Sequence, residues 1–124
     1  MRFARRVFLV AAVYGVLALL PQYFLEDRIA TENRPPIMHP EYFYGFIGVA
    51  LAWQCAFLLI ARDVQRSRLF MLPATLEKLS FGAAMLVLYA QGRVALFVVC
   101  AGSIDLVFAA FFVLAFRASR SVED

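Results

Sequence analysis

The chain has 124 residues, of which 64% are hydrophobic, with a formal net charge of +3 and a mean hydropathy of +0.77. Soluble globular chains hold roughly 45–50% apolar residues, so a protein with water as its main solvent is excluded. The basic residues stand at the ends of apolar runs and form no stripe or aromatic-interleaved patch, which argues against nucleic acid as a partner.

The first apolar run, Val7 to Leu25, follows Arg2, Arg5 and Arg6, an arrangement shared with secretory signals. After Leu20 comes Pro21-Gln22-Tyr23-Phe24 rather than a small-x-small cleavage triplet, so an uncleaved first helix is expected. Residues Glu26 to Glu41 carry Pro35, Pro36 and Pro40 and read as an extended or turned loop. His39, the single histidine, stands in that loop with no second ligand near it, and no metal or cofactor is expected.

The second run, Tyr42 to Ala61, opens on Tyr42, Phe43 and Tyr44, aromatics suited to a membrane-water interface. It ends at the basic stretch Arg62 to Arg68. Pro73 fits the first position of a third helix, where its missing N–H is not needed, and that helix runs to about Ala90. A tight Gln91-Gly92-Arg93 connection leads into the fourth run, Val94 to Phe116, and Arg117 to Asp124 form a polar tail. Cys55 and Cys100 lie inside apolar runs without CxxC spacing and read as small buried packing residues.

These runs predict an all-α integral membrane protein: one domain over 1–124, with four transmembrane helices at about 7–25, 42–61, 73–90 and 94–116 in an up-down bundle. Arg2, Arg5, Arg6, Arg62, Arg66, Arg68, Arg117 and Arg120 gather at one side, against Arg28, Arg34 and Arg93 at the other. The positive-inside rule therefore puts both termini in the cytoplasm. The compact chain, with arginines at its inner flanks and no organelle address, points to a bacterial inner membrane.

A few polar residues stand where hydrocarbon penalises them. Asp105 falls near the middle of the fourth run, where a charge costs at least ~2.5–3.5 kcal/mol. At helical spacing it shares a face with Ala101, Gly102 and Ala109, which let another helix approach, so it is expected to point into the bundle. Glu77 and Lys78 lie in the first third of the third helix, about 100° apart around its axis, and a Lys78–Asp105 ion pair is the preferred contact. Trp53 and Gln54 on the second helix and Tyr14 on the first stand at similar depth.

Tyr14, Trp53, Gln54, Glu77, Lys78 and Asp105 thus form a convergent polar cluster. Such contacts also act as plain interhelical glue, worth about 0.6–2 kcal/mol each. Gly45, Gly48, Ala52 and Cys55 make a small-residue face on the second helix nearly opposite Gln54, so either that helix is covered on both sides or the protein oligomerises.

The layout resembles the DoxX-like and emopamil-binding-like four-helix proteins in architecture alone; the latter hold intramembrane acids in a ligand cavity, as Glu77 and Asp105 would. No functional residue follows from that likeness. Small multidrug-resistance transporters place their acid in the first helix, and Val7 to Leu25 contains none.

Three function classes remain. The first is a non-catalytic protein whose polar cluster binds a lipid, a small hydrophobic ligand or a membrane partner, in the bilayer, as a homo-oligomer or within a larger complex. The second is a small oligomeric transporter or channel using Asp105 or Glu77 for proton or cation coupling. The third, ranked below non-catalytic roles, is an enzyme acting on a lipid-like substrate with Glu77 and Asp105 as acid and base.

Overall fold

A long apolar segment with no water around it must satisfy every backbone N–H and C=O internally, and a helix does so within one segment. The computed structural model describes residues 2–32 and 38–120, and among these it contains helices and turns but no strand. The elements are α1 (Arg2–Leu19), a 3-10 turn (Leu20–Phe24), α2 (Glu26–Glu32), α3 (Pro40–Arg62), a second 3-10 turn (Arg68–Phe70), α4 (Met71–Ala90) and α5 (Leu96–Ala118). Four helical segments, Arg2–Phe24, Pro40–Arg62, Arg68–Ala90 and Leu96–Ala118, are long and apolar enough to cross a membrane, compatible with a multi-pass membrane protein.

Local chemistry explains where the elements depart from expectation. Pro21 cannot continue an α-helix without losing a hydrogen bond and clashing with the preceding turn, so the chain tightens to 3-10 geometry after Leu19. Gln22 Nε2 then donates to the Ala18 carbonyl oxygen at 2.9 Å. The predicted loop over Glu26 to Glu41 is corrected at both ends. Its first residues wind into α2, where Glu26 and Asp27 suit the positive end of the helix dipole, and Pro40 already opens α3. Pro35 and Pro36, with Arg34, lie outside the described residues, as do the last four residues of the polar tail. The third helix begins at Met71, which puts Pro73 third rather than first, still within the turn whose N–H groups have no intrahelical partner. The fourth begins at Leu96 and reaches Ala118.

The α4–α5 connection closes on Gly92, whose φ of 70° is left-handed. Arg93 N–H donates to the Leu88 carbonyl oxygen at 2.8 Å and Gly92 N–H to that of Tyr89 at 2.9 Å, a Schellman end to α4.

The spanning helices alternate in direction. Arg5 Nε donates to the Ala61 carbonyl oxygen at 3.1 Å, joining the start of α1 to the end of α3. Arg68 donates through Nε and Nη2 to the Phe116 carbonyl oxygen at 3.1 and 2.8 Å, with its guanidinium carbon 3.8 Å from the centre of the Phe116 ring. Gln65 Nε2 reaches the Ser119 carbonyl oxygen at 3.0 Å. These side chains occupy carbonyls that a helix C-terminus leaves unpaired.

Packing is uneven around the bundle. The pairs α1–α3 and α4–α5 lie against each other, α1 joins the pairs through α5, and α3 touches α4 only sparsely. At the end where α1 starts, Phe8, Phe57 and Phe112 are fully buried among Ala4, Ala11, Ala12, Ala61 and Ala115. Phe112 stacks on Phe8 with centroids 4.2 Å apart and meets Phe57 edge-on at 5.1 Å. The outer surface is apolar, with Leu17, Leu59 and Leu76 among its exposed side chains.

The α4–α5 pair is drawn together by glycine on both sides. A methyl on Gly82 would come within 2.8 Å of the Gly102 carbonyl oxygen and would also crowd Leu106. Gly82→Ala is therefore expected to force the helices apart and cost about 1–3 kcal/mol, measured by equilibrium unfolding in mixed micelles. An unchanged midpoint would show that the pair has room to spare.

Candidate functional site

All four spanning helices contribute to one interior cavity of about 90 Å³. Tyr14, Gln54, Glu77, Lys78 and Asp105 line it together with Gly15. Trp53 does not; it faces a neighbouring groove between α3 and α4.

Lys78 Nζ donates to Asp105 Oδ1 at 3.2 Å, with side-chain exposures of 3% and 12%. The Lys78 ammonium also lies 5.5 Å from the ring centres of both Phe57 and Phe108. Two aromatic faces and one carboxylate thus surround the cation, a setting that partly replaces its hydration. Asp105 reaches this position because Gly102, one turn before it, lets α5 approach α4.

Gln54 is 1% exposed, and its amide lies over Gly15, where a methyl would collide with it. Its Nε2 donates to the Ala50 carbonyl oxygen at 2.8 Å, while its Oε1 has no hydrogen-bond partner among the described residues. The Oε2 of Glu77 is likewise buried and unpartnered. A buried acceptor left without a donor costs about 1–3 kcal/mol, and two of them border the same small space. Tyr14 is half-buried and packs against Phe108, with centroids 5.4 Å apart.

Glu77 and Lys78 stand about 100° apart around the axis of α4. They line the same cavity from two sides: Lys78 turns to α5, whereas Glu77 also borders the groove between α3 and α4.

That groove measures about 250 Å³ and is walled by Phe46, Trp53 and Phe81, with Val49, Ala50 and Ser80. A larger vestibule of about 550 Å³ opens beside the ends of α3 and α5 farthest from the termini, lined by Phe43, Phe46, Phe81, Phe97 and Ile29 of α2. Phe46 and Phe81 border all three spaces and stack with centroids 5.7 Å apart. The polar cavity therefore adjoins an aromatic vestibule and a lateral groove, whereas the Phe8, Phe57 and Phe112 core lies toward the end that carries the termini.

Sequence reasoning did not single out Gly15, Phe46 or Phe81. Gly15 alone carried a signal, because glycine inside a helix is costly unless another group needs its space. The two phenylalanines are indistinguishable in sequence from those of the outer surface. Cys55 and Cys100 are corrected from buried to exposed. Apolar neighbours in sequence do not imply an inward face, and on α3 the inward directions belong to Gln54 and Phe57. Gly45 and Ala52 are exposed on the same outward side as Cys55, so Gln54 points to the core and much of the small-residue face points away from it. His39 is exposed and pairs with Glu41 at 3.1 Å.

Comparison with protein-family models, with curated proteins and with solved structures finds no match.

Proposed function

We propose that the protein is a non-catalytic, multi-pass membrane protein that binds a small amphiphile, whose hydrogen-bond-donating end enters the central cavity and whose apolar body lies in the aromatic vestibule. The observation that carries this reading is the pair of buried, unpartnered acceptors, Gln54 Oε1 and Glu77 Oε2, on one cavity. A ligand donor satisfies them, and a hydrocarbon end does not.

Size supports the division between the two ends. About 90 Å³ admits a few waters or a small polar head, while about 550 Å³ falls within the ~300–1,000 Å³ usual for drug-sized ligands. The sparse α3–α4 contact supports access from the side, suited to a ligand already dissolved in lipid.

Passage across the bundle is less well supported, since the Phe8, Phe57 and Phe112 packing fills the terminal end. Acid–base catalysis is less well supported too, because Asp105 is engaged by Lys78. The proposed orientation keeps both termini in the cytoplasm of a bacterial inner membrane, with a second copy or another membrane protein covering the exposed Gly45, Ala52 and Cys55 face.

Native mass spectrometry of the protein released from its own membrane tests the binding reading. The wild type should carry an amphiphile adduct, and Gln54→Leu, which removes one acceptor but keeps the side-chain volume, should stay folded and lose most of it. A bare wild type, or an adduct held equally by Gln54→Leu, would reduce the polar cluster to interhelical glue.

A further inference from the structure

The chain holds one ammonium of its own in a particular way. Lys78 Nζ has a carboxylate, Asp105, at 3.2 Å and two aromatic faces, Phe57 and Phe108, each at 5.5 Å. On the other side of the cavity a similar set of groups gathers around no cation among the described residues. The groove between α3 and α4 brings together the Glu77 carboxylate, the Trp53 indole and the stacked Phe46 and Phe81 rings.

We infer that the mouth between this groove and the central cavity, where Glu77 borders both, is an ammonium site: the donating end of the bound amphiphile is a protonated amine, a monocation, with Glu77 as its counter-charge and Trp53, Phe46 and Phe81 as its aromatic walls. The inference rests on the binding reading above and names the chemical class of that ligand.

Charge supports it. Lys78 and Asp105 cancel one another, which leaves Glu77 as the one formal charge on the cavity without a partner of opposite sign within ion-pair distance among the described residues. A neutral alcohol would meet the hydrogen-bonding need of Glu77 Oε2 but not its charge, and it would gain little from the ring faces. A protonated amine meets both the charge and, through its N–H groups, the hydrogen-bonding need, and it is drawn to the negative face of each ring, Trp most strongly. An anion would be repelled by Glu77 and by the same ring faces. The groove volume of about 250 Å³ is ample for a substituted ammonium head.

Trp53 is the chain's single tryptophan and lines the groove, so its fluorescence reports occupancy directly. The protein would be placed in nanodiscs of zwitterionic lipid at neutral pH and titrated with dodecylammonium and, separately, dodecanol, each corrected for partition into empty nanodiscs. The wild type should bind the ammonium about tenfold more tightly than the alcohol. Glu77→Gln should bring the two affinities together, and Phe81→Leu should weaken the ammonium several-fold while leaving the alcohol nearly unchanged. Phe81→Leu carries the test if Glu77→Gln does not fold.

Equal affinities in the wild type, or a preference that survives both substitutions, would overturn the ammonium assignment while leaving amphiphile binding in place. Failure of both probes to give a saturable change would remove the ammonium site and weaken the binding reading itself. The native mass spectrum then decides the latter separately.

Discussion

Asp105→Ala should destabilise the bundle by about 3–5 kcal/mol, the cost of leaving a buried charge without its counter-charge. Lys78 is 3% exposed, and Asp105 is its ion-pair partner at 3.2 Å. The two ring faces at 5.5 Å offset about 0.5–2 kcal/mol and do not replace the carboxylate. Replacing both partners, Lys78→Met with Asp105→Leu, removes the unmatched charge together with the pair and should return stability to within about 1–2 kcal/mol of the wild type. Equilibrium unfolding in mixed micelles, followed by far-ultraviolet circular dichroism, measures all three proteins.

The competing effect is snorkelling. Lys78 lies roughly 10 Å into α4 at 1.5 Å per residue, close enough for its flexible stem to turn toward the near end of the bundle. If it does so freely, Asp105→Ala will cost under about 1 kcal/mol, and the ion pair is then not what holds α4 to α5. A double substitution much less stable than Asp105→Ala alone would also contradict the argument.

Phe112→Ala should cost about 3–5 kcal/mol, because the removed ring leaves a cavity that α1, α3 and α5 cannot easily close. Phe112 is fully buried and touches both Phe8 and Phe57, so one truncation removes packing from three helices at once. Phe97→Ala is the matched control. That ring is 56% exposed, and its loss should change unfolding stability by no more than about 0.5 kcal/mol. Similar costs for the two would place the packing that holds the helices together elsewhere than in the Phe8, Phe57 and Phe112 cluster.

The fold was legible because its cause is local. An apolar run in hydrocarbon has no water to satisfy its backbone, so a run of this length is expected to become a helix whatever its neighbours are, and all four runs are helical. The boundaries were legible only where a residue acts on its own backbone. Gly92 marked the α4–α5 turn, whereas Pro21 turned α1 into 3-10 geometry rather than stopping the helical segment. The segment after Leu25 differs from the expected loop because its prolines come later, beyond seven residues free of Pro and Gly that open on Glu26 and Asp27, which suit a helix N-terminus.

Within the site, charge was the signal that survived the step from sequence to structure. A carboxylate and an ammonium in apolar runs must find each other or pay full desolvation, and Lys78 and Asp105 meet. Gln54 followed the same logic, since a buried amide needs company, but that Gly15 is the residue beneath it depends on the rotation of α1 against α3.

The residue string therefore dictates four helices long and apolar enough to span a membrane and the polar side chains that must avoid hydrocarbon, because each follows from the solvation of one segment. Which apolar residues face inward does not follow from it. In hydrocarbon, Phe46, Phe81 and Cys55 are as comfortable outside the bundle as within it, so no pattern of polarity sorts them. Helix packing made that choice: close approach at Gly15, Gly82 and Gly102 draws two helix pairs together, leaves α3 and α4 apart, and thereby creates the aromatic groove beside Glu77.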